Sequence, residues 1–287
     1  MKNRRIGPFT VSAIGLGSMP MSIEGRPDRA QSLRTIHAAL DAGITQIDTA
    51  FGYRVPLDVE AHSEELIAEA LRTWGGDSDS ILVATKGGHY RYPDEPGRTW
   101  GLCGDPVWIK NCARASAKAL GVDAIGLYYY HRPDPQITYQ DVCGALLELI
   151  EEGTIVTAGI SNANVSQIDD AIEVLGDKLV AVQNQYSPVY RWTQRELDYT
   201  AGKGIAFLPW SPLGGIGKAG ALASRAAAFG QVAAAHGVSP QQVALAWELA
   251  KGDHVVPIPG ASKPESILDS VKAVDLVLTP EELALLG

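Results

Sequence analysis

Eight short apolar runs, eight helical patterns between them and a unit spacing of roughly 33 residues predict an α/β fold of the (β/α)8 TIM-barrel class. The runs lie at 13–16, 45–48, 81–85, 125–130, 157–160, 181–185, 205–208 and 254–258. Each is short and mostly apolar, as strands buried on both faces require. The helical patterns lie at 29–42, 63–74, 106–120, 139–152, 165–175, 194–202, 240–249 and 264–273. An open doubly wound sheet is the rival, but its first strand–helix turn would carry GxGxxG. Here that turn reads Gly15-Leu-Gly17-Ser-Met-Pro20, with proline where the third glycine belongs. The stretch Gly214-Gly-Ile-Gly-Lys218-Ala fails as a P-loop, because Pro212 replaces its first glycine and Ala219 its Ser/Thr.

Local signals support the elements in turn. Residues 4–12 read as an N-terminal β-hairpin that plugs one end of the barrel. Asp28 can cap the first helix, and Gly43 and Gly121 sit where a left-handed residue ends one. Ser239-Pro240 is an N-cap followed by proline at the first helical position. Residues 280–286 read as a short C-terminal helix. A chain of 287 residues is nearly two average domains long. A barrel, however, uses about 250 residues as one domain. No Ser/Gly-rich linker or low-complexity stretch divides the chain, so residues 1–287 are expected to form a single barrel domain.

Composition narrows the function. Basic residues number 24 and acidic ones 33, a net charge of −9, which argues against nucleic acid as a partner. No apolar stretch approaches the about 18 residues of a membrane span, and no apolar run follows the basic N-terminus as in a signal peptide. Cys103, Cys112 and Cys143 lack CxxC spacing and read as reduced, buried small hydrophobes of a cytoplasmic protein. His37, His62, His89, His236 and His254 form no HxxxH or HExxH pattern, so no metal is expected. The expected partner is a small molecule, and the expected state a monomer, with an oligomer as the alternative.

Chemistry in a barrel sits at the C-terminal ends of the strands. The second run ends at Asp48 and is followed by Tyr53, the third closes on Lys86, and the fourth on His131. Each alone has an ordinary reading: Asp48 as a turn former, Lys86 as a surface lysine, Tyr53 as a rim residue, His131 as a satisfied core histidine. A lysine closing an apolar strand needs a partner, and Asp48 is available. A cation beside Tyr53 would lower its pKa and suit it to protonate a carbonyl oxygen, which His131 would orient.

With these residues in view, the chain resembles the aldo-keto reductase family. The match rests on Asp48-x4-Tyr53 in GITQIDTAFGY, Lys86 in VATKGG and His131 in YYYHRPDP. It extends to AIGLGSM at 13–19, AGISNAN at 158–164, VQNQYSP at 182–188, WSPLGG at 210–215 and IPGASKPESI at 258–267. The resemblance implies reduction of an aldehyde or ketone by hydride from NADPH, or the reverse oxidation of an alcohol or sugar. Tyr53 would be the acid, Lys86 and Asp48 its tuning pair, and His131 the orienter. Ser161, Asn162 and Gln185 would hold the nicotinamide amide, and Trp210 would stack on its ring. Ser211, Leu213 and Gly215 would line the pyrophosphate. Gly260, Ser262, Lys263, Ser266, Asp269 and Ser270 would hold the adenosine end.

Two departures stand out. Many members place at position 266 an Arg that grips the adenosine 2′-phosphate, where this chain has Ser266. Lys263 and Ser262 could substitute without the guanidinium fork, so NADPH is expected and NADH is the alternative. Little chain follows the last helix, where members with narrow pockets carry a longer loop, so either the pocket is open or the natural C-terminus lies further on. The insert 90–105, with Tyr90, Tyr92 and Trp100, is therefore the expected lid. Met19, Tyr90, Trp100 and Arg132 are the expected substrate-pocket residues, with Arg132 either binding a substrate anion or pairing with Asp134. Two other functions compete: a nucleotide-sensing regulatory subunit with little turnover, and an isomerase or aldolase using Lys86 as a Schiff-base lysine.

Overall fold

The computed structural model describes residues 1–55, 60–92 and 99–287. The chain opens with an antiparallel hairpin, β1 (Asn3–Ile6) and β2 (Phe9–Ser12). Five strands follow: β3 (Leu16–Gly17), β4 (Gln46–Asp48), β5 (Leu82–Gly87), β6 (His89–Arg91) and β7 (Trp100–Leu102). Next come β8 (Ile125–Tyr130), β9 (Ile155–Ser161), β10 (Leu179–Gln183) and β11 (Ala206–Phe207). Seven of them form one parallel sheet in the order β11-β10-β9-β8-β5-β4-β3. The register sets Gly17 beside Asp48, Asp48 beside Ala84 and Lys86 beside Tyr129, so their strand ends are adjacent.

The expected eighth strand, 254–258, closes the sheet without forming a regular ladder. On one side the Phe207 amide donates to the His254 carbonyl at 2.8 Å and the Val256 amide to the Phe207 carbonyl at 2.9 Å. On the other, the Pro257 and Pro259 carbonyls accept from Gly15 and Gly17 at 2.9 and 3.0 Å. Both prolines fall where an N–H would otherwise face the first strand, so the bonding there runs one way only. The result is a closed (β/α)8 barrel with an irregular seam.

The hairpin plugs the barrel because Ile6 and Val11 join Leu82, Leu127, Val180 and Leu208 in one buried cluster, with Phe9 packed against it. Outside lie α1 (Arg29–Asp41), α2 (His62–Trp74), α3 (Pro106–Leu120), α4 (Tyr139–Glu151), α5 (Val165–Leu175) and α6 (Gln194–Lys203). They are followed by α7 (Leu222–Arg225), α8 (Ala227–His236), α9 (Pro240–Leu249), α10 (Pro264–Val271) and α11 (Pro280–Leu286). The expected caps form: the Asp28 carboxylate accepts from the Gln31 amide at 2.7 Å, and the Ser239 hydroxyl from the Gln242 amide at 3.1 Å. Gly121 ends α3 at φ +72°.

Two features depart from the sequence expectation. Helix α8 lies where no helix was expected, because an alanine-rich segment lacks the apolar–polar periodicity that marks a helix, while alanine's own propensity carries it. The insert 90–105 has structure of its own, since β6 pairs antiparallel with β7. Its segment 93–98 lies outside the described residues. Cys112 and Cys143 are buried as expected, but Cys103, beside β7, is only partly so, and all three are free. No helix among the described residues is long and apolar enough to cross a membrane.

Helix α9 carries a buried acid. Glu248 has no exposed surface, and neither carboxylate oxygen finds a hydrogen-bond partner among the described residues. Burial pushes its pKa well above the ordinary 4.5. The folded protein therefore keeps a proton that the unfolded chain gives up. Stability is lost as pH rises from the unfolded value towards the folded one, at up to about 1.4 kcal/mol per pH unit. Glu248→Gln removes this titration. It is expected to raise the melting temperature relative to the parent protein at about pH 8 more than at about pH 5. Thermal unfolding at both pH values checks this; an equal difference at the two would show that Glu248 does not take up a proton on folding.

Candidate active site

The C-terminal strand ends converge on a pocket of about 940 Å³. At its base, Lys86 reaches back across the β4–β5 pairing, and its ammonium donates to Asp48 Oδ1 at 2.5 Å and to the Thr49 carbonyl at 2.7 Å. Asp48 Oδ2 accepts from Gln183 Nε2 at 2.8 Å. Lys86 is fully buried and Asp48 nearly so. A buried cation and anion of this kind hold only because each has a partner and further hydrogen bonds.

Tyr53 follows β4 through a tight turn. The Phe51 amide donates to the Lys86 carbonyl at 3.0 Å, and the Tyr53 amide to the Ala50 carbonyl at 2.9 Å. Gly52 permits the turn, because a Cβ there would stand 2.4 Å from the His89 carbonyl oxygen. The Lys86 ammonium lies 5.3 Å from the Tyr53 ring centroid, and the His131 ring meets that ring edge-on at 5.7 Å. All four expected catalytic side chains are thus together. Asp48, Tyr53 and His131 line the pocket, and Lys86 stands behind its wall. That placement removes Lys86 as a candidate Schiff-base nucleophile, because its nitrogen is enclosed and committed to Asp48 and Thr49.

The electrostatics correct one expectation. Burial raises the Tyr53 pKa above its ordinary 10.0; Lys86 opposes this but is the smaller influence. The hydroxyl is therefore protonated at neutral pH. Burial would lower the Lys86 ammonium, but the Asp48 charge and then Tyr53 outweigh it and hold it above the usual lysine value. His131 is held well below 6.5 by burial and then by Lys86, His89 and Arg132, so its ring is neutral.

Around this base, the Ser161 hydroxyl donates to the Gln183 carbonyl at 2.7 Å, and Asn162 Nδ2 to the His131 carbonyl at 2.9 Å. Trp210 Nε1 donates to Asn162 Oδ1 at 3.2 Å. Asn162 and Ser211 both adopt the left-handed region, at φ +57° and +53°. Such conformations in non-glycine residues collect at functional sites. The pocket takes in Gln185, Leu213, Gly215, Gly260, Ser262, Lys263, Ser266, Met19 and Arg132 as well. Besides Lys86, four expected site residues lie off it. Asp269 instead accepts from Ser239 and Gln242 of α9, both at 2.6 Å, and Ser270 hydrogen-bonds back to the Ser266 carbonyl at 3.0 Å. Tyr90 turns its hydroxyl to Tyr92 at 3.0 Å and packs on Trp108. Trp100 reaches the pocket only indirectly, by stacking on His89 at 4.4 Å.

Other pocket residues escaped the sequence reading. His89 lines the wall and meets His131 edge-on at 5.0 Å. Its place two residues beyond the end of β5 was the available signal. Gln183, two residues before the noted Gln185, belongs to the catalytic group through Asp48. Lys218 lines the pocket although its segment is no P-loop. Glu24, from the loop before α1, lines the pocket too and pairs with Arg91 of β6, whose guanidinium stacks on Trp100 at 4.2 Å.

Comparison with known proteins agrees with this architecture. The family model described as "Aldo/keto reductase family" matches residues 13–286. An uncharacterised oxidoreductase of Schizosaccharomyces pombe is 32% identical over 285 residues, covering 98% of this chain and 87% of its own. The aldo/keto reductase of Klebsiella pneumoniae, solved with NADP and acetate, superposes with a TM-score of 0.80 at 26% identity over 99% of this chain and 94% of that one. The glycerol dehydrogenase AKR11B4 of Gluconobacter oxydans superposes with a TM-score of 0.83 at 26% identity over 99% and 93%. On the family match and these relatives together, the chain belongs to the aldo/keto reductase family and is an oxidoreductase of that family.

Proposed function

We propose that the protein reduces an aldehyde or ketone with hydride from NADPH, and that Tyr53 donates the proton to the carbonyl oxygen. One observation carries this reading: a protonated, buried tyrosine on the pocket wall stands against the Lys86–Asp48 pair and faces a neutral histidine. The rest of the pocket fits a dinucleotide. Trp210 offers an indole beside the amides of Asn162 and Gln185. Gly214, Gly215 and Gly217, at φ +87°, +112° and +69°, present backbone without side chains, as close approach of a phosphate requires. Ser262, Ser266, Lys218 and Lys263 add hydroxyls and two ammonium groups. Neither lysine side chain has a hydrogen bond or ion pair among the described residues, which favours NADPH, with its extra phosphate, over NADH. Without a guanidinium fork at Ser266 that preference is modest.

Bound there, the cofactor supplies hydride to the carbonyl carbon. The protein manages the proton. Tyr53 gives it to the carbonyl oxygen, and the Lys86 ammonium stabilises the phenolate that remains. Asp48 and Gln183 keep Lys86 in place. His131, being neutral, orients the carbonyl without competing as an acid. In the reverse direction Tyr53 must first lose its proton, so alcohol oxidation is favoured by alkaline pH. Mixing the protein with NADPH or NADH and a panel of aldehydes and ketones tests the reading. The expected result is cofactor oxidation matched one-for-one by alcohol, and faster with NADPH. The reading fails if no cofactor is consumed in either direction while NADPH still quenches tryptophan fluorescence.

A further inference from the structure

Charge accounting in the pocket leaves one group over. Lys86 is neutralised by Asp48, and Glu24 is engaged by Arg91. His89 and His131 are neutral, the former with its pKa down at about 3 through burial and the Arg132 charge. Lys218 and Lys263 enter the pocket from the glycine-rich loop after Trp210 and from the N-cap of α10, away from the strand ends that carry Tyr53 and His131 in sequence. At the reacting end this leaves Arg132, whose guanidinium lies on the pocket wall 5.6 Å from the Trp210 ring centroid. Asp134, the partner that the sequence offered, is committed elsewhere: its oxygens accept from the Gly104 amide at 2.9 Å and the Gln136 amide at 3.0 Å. Among the described residues no carboxylate or carbonyl engages Arg132.

An arginine with no anionic partner, half-buried beside two neutral imidazoles and an indole, lacks both full hydration and a counter-charge. Its planar fork matches one carboxylate in two parallel hydrogen bonds. It shares the pocket wall with Tyr53 and His131, so one small molecule would span the guanidinium and the Tyr53 hydroxyl. We propose that Arg132 is a specificity-determining residue and that the substrate is a short-chain carbonyl compound bearing a carboxylate, an oxo-acid anion whose carbonyl meets Tyr53 while its carboxylate meets Arg132. A carboxylate is favoured over a phosphate because a single guanidinium, with no second cation at that end among the described residues, balances one negative charge.

This rests on the proposed reduction, so the test has two arms. In the first, kcat/KM is compared for succinic semialdehyde and its neutral methyl ester. The parent protein is expected to favour the anion at least about tenfold, the size of one charge-assisted contact. Arg132→Met is expected to abolish that ratio, and Arg132→Lys to retain part of it. A ratio that Arg132→Met leaves unaltered would overturn the proposal. In the second arm, calorimetric titration with butyrate requires no turnover. Binding weakened at least about tenfold by Arg132→Met supports the proposal even if no carbonyl is reduced, in which case only the catalytic reading falls. Butyrate binding that is absent, or equal in the two proteins, overturns it.

Discussion

Tyr53→Phe is expected to lower kcat for aldehyde reduction by about 10²–10⁴-fold, the usual contribution of a positioned acid. The substitution keeps the ring, so its packing against His131 and the Lys86 charge remains. Melting temperature and NADPH affinity should therefore change little. Because the proton is delivered only as the carbonyl oxygen gains charge, the loss should fall on kcat and kcat/KM together, with KM nearly unaltered. Steady-state kinetics with one aldehyde check this. A fall smaller than about tenfold would assign the proton to another group.

Lys86→Met is expected to reduce kcat on a similar scale, and unlike Tyr53→Phe it should also damage the fold. Removing the ammonium leaves Asp48, 2% exposed, buried with Gln183 as its remaining hydrogen-bond donor. Breaking such a pair from one side costs about 3–5 kcal/mol, because an uncompensated charge stays behind. The double variant Lys86→Met/Asp48→Asn carries no such charge and should recover much of the lost stability. It should not recover activity, since the cation that stabilises the Tyr53 phenolate is still missing. Chemical denaturation and turnover measured on the same three proteins separate the two effects. Recovery of both together would mean that Lys86 serves the fold alone.

The strands and the four converging side chains were legible in the sequence because they follow short-range rules. Apolar runs of strand length end on polar residues, and the barrel places those ends side by side. Asp48, Lys86 and His131 therefore come together from position alone. The balance of electrostatic effects was not legible. The sequence shows that a lysine adjoins Tyr53, but not that the ring is 7% exposed, and burial decides the sign of its pKa shift. The seam was hidden for a different reason: Pro257 and Pro259 look strand-breaking, yet they sit where only their carbonyls are needed. His89 and the Glu24–Arg91 pair arise from strand β6 and its meeting with the loop before α1, a long-range contact that no local pattern encodes. Asp269 and Ser270 lie three and four positions beyond the site residue Ser266 in sequence, but the helical turn of α10 directs them towards α9 and the helix backbone.

The central claim, that the proton comes from a neutral tyrosine and not from an imidazolium, is tested most directly by the pH dependence of kcat/KM for aldehyde reduction. Tyr53 is raised above its ordinary value, so its acid form persists through neutrality and is lost only at strongly alkaline pH. His131 is lowered well below 6.5 and does not titrate in the neutral range. The profile should be flat from about pH 6 to about pH 9 and fall beyond it. A loss of activity with an inflection near the ordinary histidine value of about 6.5 would contradict this account and make His131 the acid.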